Sequence, residues 1–134
     1  MATQAKAKKE KRVERKPATR PRAAPRLRIA MAEGLILGPG KVDLIEAIER
    51  SGSISGAARD MGMSYRRAWL LVDALNRMFK TAVVEAAPGG ARGGGAVVTE
   101  FGKGVAAAYR RIEERTRKAI REELAPFDPG IARR

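Results

Sequence analysis

From Leu27 onward, large apolar residues recur in patterns that change period several times. Leu27, Ile29 and Met31 alternate with smaller or charged neighbours, Glu33-Gly34 interrupts, and Leu35-Ile36-Leu37 follows, which predicts a short hairpin. Pro39 suits the first turn of a helix, and Leu44, Ile45 and Ile48 give that helix an apolar face through about Arg50, with Ser51-Gly52 ending it. A second, short helix is expected from the N-cap Ser53, burying Ile54, Ala57, Ala58 and Met61, and Gly62 stops it. Ser64 is again a good N-cap, and Ala68, Leu71, Val72, Leu75 and Phe79 form the inner face of a third helix. Residues 82–85 and 96–99 read as two strands flanking the glycine-rich stretch 88–95. A last helix starts near Thr99 or Glu100, carries Phe101, Val105, Ala108, Tyr109, Ile112, Ala119 and Ile120 on one side, and ends before Pro126.

Helix, short helix, tight turn, helix and then a hairpin is the layout of a winged helix-turn-helix, mainly α with a small β component and a long C-terminal helix. A generic helical hairpin shares part of this pattern. Ala58 is small enough for close helix approach, Gly62 can take the positive φ of a sharp turn, and Ala68 faces inward where the helices cross. In such folds the start of the third helix enters the DNA major groove, and here it reads Ser64-Tyr65-Arg66-Arg67. Arginines at a helix N-terminus oppose the helix dipole, so their placement suggests an anionic ligand, although ordinary surface arginines would look the same. They can grip guanine O6 and N7 or clamp phosphates. Trp69 is expected in the core, with base stacking as the alternative. Arg92, alone among five glycines, is a candidate DNA contact at the wing tip, and a slack linker is the plainer reading. No Lys-Ser/Thr follows the glycines, which disfavours a nucleotide phosphate loop. Phe101, Val105, Ala108 and Ile112 make a seam that could pair two subunits or pack on its own domain.

Composition narrows the chemistry. The 134 residues contain no His and no Cys, which removes the common zinc and haem ligands and every His-based nucleophile system, so neither an enzyme nor a metal site or cofactor is expected. The absence of Cys agrees with a reducing cytoplasm, and no apolar run is long enough for a membrane span. The 28 Lys and Arg exceed the 15 Asp and Glu to give a net charge of +13, which points to a polyanionic partner. Residues 1–26 hold ten of the basic residues and two of the acidic ones, a net of +8. With Pro17, Pro21 and Pro25 and almost no large apolar side chain, this arm is expected to be disordered. The expected organisation is therefore a basic tail over 1–26, a DNA-binding domain over 27–125 and a short tail over 126–134.

The stretches S-G-S-I-S-G-A-A-R-D-M-G-M-S-Y-R-R-A-W (51–69) and V-V-E-A-A-P-G-G-A-R-G-G-G-A-V-V-T-E-F-G (83–102) resemble the N-terminal DNA-binding region of the ModE family of molybdate-responsive bacterial transcription regulators. The likeness runs from about Leu27 to Leu124, and a more distant similarity to the LysR-type winged helix covers the same helices. It implies Ser64, Tyr65, Arg66, Arg67 and Arg92 as DNA contacts, places Trp69 on the family's motif Trp, and implies a homodimer on a palindromic operator in double-stranded DNA. Molybdate-sensing members carry C-terminal oxyanion-binding domains, whereas this chain ends at Arg134. The expectation is a regulator without them, for which direct molybdate binding is not expected, acting on molybdate-uptake or molybdoenzyme genes. The other two readings are a nucleoid-type architectural protein dominated by the basic arm, and a module that pairs with a full-length regulator.

Overall fold

Glu33 and Gly34 turn the first hairpin, both with positive φ, +57° and +76°. The Leu35 amide thereby reaches the Ala32 carbonyl at 3.1 Å. Strand β1 (Ile29–Ala30) pairs antiparallel with β2 (Ile36–Leu37), Ile29 opposite Leu37. This computed structural model describes residues 24–87 and 95–130; the arm through residue 23, the wing tip with Arg92 and the last four residues lie outside the described residues. Residues 25–118 form one compact unit, and a second unit holds the end of the last helix with the 3-10 segment Ala125–Gly130.

Helix α1 (Pro39–Ser51) has proline in its first turn and ends at Gly52, whose left-handed conformation lets its amide return to the Ile48 carbonyl at 2.8 Å. Its residues Val42, Leu44, Ile45, Ala47 and Ile48 are completely buried and form the centre of the core. Helix α2 (Ile54–Met61) is capped by Ser53, whose hydroxyl oxygen accepts from the Gly56 amide at 2.9 Å. Gly62, at φ +67°, closes α2 by donating to the Ala58 and Arg59 carbonyls, and the Met63 amide also returns to Ala58. Two residues later helix α3 (Tyr65–Met78) begins. Ala57, Ala58 and Ala68 are buried where α2 and α3 meet, so the small side chains predicted there do allow the close approach.

Strands β3 (Val84–Ala87) and β4 (Gly95–Val98) form the wing hairpin, with Val84 opposite Val98 and Ala87 opposite Gly95. Both strands are displaced from their expected spans, β3 by two residues and β4 by one. The cause is local. The Val83 amide is taken by the Asn76 side chain and the Ala82 carbonyl by the Thr99 hydroxyl, so the paired ladder begins only at residue 84. A bridge between Ser53 and Gly95, with the Ala96 amide donating to the Gly52 carbonyl at 2.9 Å, ties the α1–α2 junction to β4.

Helix α4 (Glu100–Leu124) turns inward a face that shares Val105 and Tyr109 with the one its apolar spacing suggests but leaves out Phe101 and Ile112. Gly102, Ala106 and Tyr109 are buried, whereas Phe101 is 39% and Ile112 42% exposed. Gly102 decides the rotation, because a Cβ there would run into the Val83 carbonyl and the Val98 side chain. Phe101 instead lies edge-on to Phe79, with ring centroids 5.2 Å apart. Phe79, predicted as the last inner-face residue of α3, is extended and caps that helix. Helix α4 ends at Leu124, before Pro126 as expected, and the 3-10 segment follows it.

Two contacts lock α4 in place. The buried Tyr109 hydroxyl donates to the Leu27 carbonyl at 2.7 Å. Arg110 donates to both oxygens of Glu46 at 3.0 and 2.8 Å, to Asp43 at 2.6 Å and to Glu113 at 3.0 Å.

Gly102→Ala should cost about 1 to 3 kcal/mol of unfolding free energy, since the added methyl meets backbone rather than a flexible side chain; a denaturant midpoint equal to the parent's would contradict the close approach. The hydrogen bond from Arg110 holds the Glu46 carboxyl below its ordinary value of 4.5. The stability this contributes is present above that value and is lost as pH falls through the lower folded value. Melting temperature should therefore drop on acidification below about pH 4.5, and Glu46→Gln should flatten that part of the profile.

Candidate nucleic-acid interface

The first turn of α3 is built by its cap. Ser64 is extended, and its hydroxyl oxygen accepts from the Arg67 amide at 3.1 Å, which fixes where the helix begins and therefore where residues 65–67 project. With Ala68 buried against α2, the three residues before it are exposed, Tyr65 at 56%. Arg66 and Arg67 are both exposed, and neither guanidinium has a hydrogen-bond or ion-pair partner among the described residues. Other cations do have such partners: Arg77 pairs with Asp73, Lys103 with Glu100 and Glu49, and Arg117 with Glu114. No acidic residue occupies the first turn of α3, so the cations, the free amides and the dipole together make a positive end with nothing to neutralise it.

Trp69 departs from expectation. It is 48% exposed, not in the core, because the position one residue past Ala68 on a helix points about 100° away from the buried face. Leu70, also half exposed, follows it. Tyr65, Trp69 and Leu70 therefore give the outer side of α3 an apolar element beside the two arginines. A shallow depression along this face is lined by Ser64, Arg66 and Arg67 and also by Lys41 of α1, which the linear sequence gave no reason to associate with them. Arg92 lies outside the described residues, so the four sequence candidates on α3 are the ones the fold brings together.

The wing is positioned by a side chain that sequence reasoning passed over. Asn76, on the last turns of α3, accepts from the Val83 and Val84 amides at 2.8 and 3.1 Å and donates to the Val84 carbonyl at 3.0 Å. One primary amide thus satisfies three backbone groups just where the chain enters β3. Its signal was there to read: a poor helix former near the end of an otherwise strong helix is a residue whose side chain has another task. Thr99 does the same at the other end of the hairpin, donating to the Ala82 carbonyl at 2.7 Å and accepting from the Gly102 amide at 2.9 Å. Helix α3, the wing and α4 are therefore joined through the backbone around Val83.

No protein-family model matches the chain. It is 48% identical over 99 residues to the molybdenum-pterin-binding protein MopB of Rhodobacter capsulatus, covering 72% of this chain and 37% of that one. MopA of the same organism is 46% identical over 84 residues, 63% of this chain and 32% of its own. The DNA-binding transcriptional dual regulator ModE of Escherichia coli K12 is 36% identical over 94 residues, 70% of this chain and 36% of its own. Over that stretch the chain is homologous to ModE and the Mop proteins. It spans about a third of the length of these curated relatives. Among solved structures, the full-length LTTR LysG of Corynebacterium glutamicum aligns over 66% of this chain and 30% of its own, at 24% identity and a TM-score of 0.46. That likeness is too loose to bear on the site. The homology to ModE and the Mop proteins agrees with the family resemblance read from residues 51–69 and 83–102.

Asn76→Ala strands two amides and a carbonyl at a partly buried junction, and should cost about 2 to 3 kcal/mol by urea unfolding. Asn76→Asp, which keeps the acceptor for both amides but lacks the donor, should fall between that variant and the parent. A loss within experimental error for the alanine variant would mean that the wing is held by other contacts.

Proposed function

We propose that this chain is a DNA-binding transcription regulator of the ModE type, which reads a duplex through the first turn of α3. The observation that carries this reading is the exposed pair Arg66 and Arg67, without carboxylate partners among the described residues, at a capped helix start that follows a sharp turn from α2. The homology to a DNA-binding transcriptional dual regulator supports it. In this reading α3 lies in the major groove, Arg66 or Arg67 pairs bidentately with guanine, and Ser64 and Tyr65 contact the flanking backbone. The wing, with Arg92 at its tip, runs along the adjacent groove. The exposed Phe101 and Ile112 of α4, on one seam with Val105 and Ala108, favour pairing of two copies so that two α3 helices address the halves of a palindromic site. Genes of molybdenum handling are the proposed targets, on the ground that relatives are named for molybdenum-pterin binding and for molybdenum transport.

Selection from a random duplex pool, followed by footprinting with and without molybdate, tests the reading. One enriched inverted repeat is expected, with the same footprint in both conditions. Arg66→Ala should lose about 1 to 3 kcal/mol at a single base pair and little on sequences that already lack it. Binding that ignores sequence would replace the regulator by the architectural reading, and failure of the full chain to bind any duplex would overturn both.

A further inference from the structure

A second cationic feature lies beside the recognition face and shares Lys41 and Arg67 with it. A cleft of about 270 Å³ opens between the segment leading into β1, the start of α1 and α3, and its rim carries Arg26, Arg28, Lys41 and Arg67. No carboxylate lines it. None of the four has an ion-pair partner among the described residues, whereas Arg110, elsewhere in the same unit, is surrounded by three carboxylates. Lys41 records the cost. Its ammonium is pushed below the ordinary lysine value, first by burial, then by the charges of Arg28 and Arg67. Gathering like charges around a partly buried ammonium is unfavourable unless an anion completes the site. The floor is apolar or backbone, with Ile36, Met63 and Leu71 among it, so nothing there matches the donor and acceptor pattern of a base edge. Lys41 and Arg67 belong also to the depression along the first turn of α3, which makes cleft and recognition face continuous.

We propose that the cleft between the segment leading into β1, α1 and α3 seats a phosphate of the DNA backbone, with Arg28 and Lys41 as positioning contacts that set how α3 enters the groove. The proposal rests on the DNA-binding reading and adds to it a sequence-independent anchor supplied from outside the helix-turn-helix. Phosphate contacts fix register and orientation while base contacts specify, so this anchor and Arg66 should separate experimentally.

The test measures affinity against salt concentration for the full chain and for Lys41→Gln, Arg28→Gln and Arg77→Gln, on the selected duplex and on a random duplex of equal length. Lys41→Gln and Arg28→Gln should each weaken binding by the same factor on both duplexes and lower the log-log salt slope by about one. Arg77→Gln, whose guanidinium already pairs with Asp73, should change neither. Melting curves establish that each variant folds, and the exposed Arg28 serves if the half-buried Lys41 does not tolerate glutamine. Should the parent bind DNA while both cleft variants keep its affinity and slope, the phosphate assignment is wrong and the DNA-binding reading stands. A loss confined to the selected duplex would also overturn it, since that is base reading. If the parent binds neither duplex, the DNA-binding reading fails and the anchor with it.

Discussion

The wing and α4 take their places from the backbone around Val83. Asn76 holds the Val83 and Val84 amides from α3, Thr99 holds the Ala82 carbonyl from the start of α4, and the absence of a side chain at Gly102 lets α4 lie against the Val83 carbonyl. A buried backbone amide or carbonyl must find a partner, and here α3 and the start of α4 supply those partners to one short segment. Because the partners are directional, the wing cannot swing relative to α3 without stranding several of them. Apolar packing alone would allow more slack.

A second level of organisation is electrostatic. The cations of the folded unit divide into those with local carboxylates and those without. Arg110 gathers Asp43, Glu46 and Glu113 and joins α4 to α1. Arg66, Arg67, Arg28 and Lys41 gather near the first turn of α3 and the cleft beside it. The Arg110 network fastens α4 to α1, while these four cations, without carboxylate partners among the described residues, concentrate positive charge on one side of the folded unit. The net charge of +13 says nothing of this division, since eight of its units lie in the arm over residues 1–26.

The local elements were legible because they rest on local chemistry. Ser53 and Ser64 cap the helices they were expected to cap, Gly52 and Gly62 take the left-handed conformations their positions implied, and Pro39 opens α1. The inward face of α4 is harder to read, because apolar spacing cannot distinguish a face that meets the core from one that meets solvent or another chain. On α4 the residues that pack inward include a glycine and an alanine, which carry almost no hydrophobic signal, while Phe101 and Ile112 carry a strong one and stay exposed.

The sequence by itself determined the order of elements, their caps and the exposed turn on which Arg66 and Arg67 sit, because helix starts and stops are settled within a few residues of chain. Only the tertiary structure decided that Asn76 governs the wing, that Gly102 sets the rotation of α4, and that Arg28 and Lys41 share a cleft with Arg67. Those relations join residues from 7 to 39 positions apart through backbone hydrogen bonds, close contact and like-charge repulsion. Such terms depend on distance in space, which periodicity along the chain does not encode.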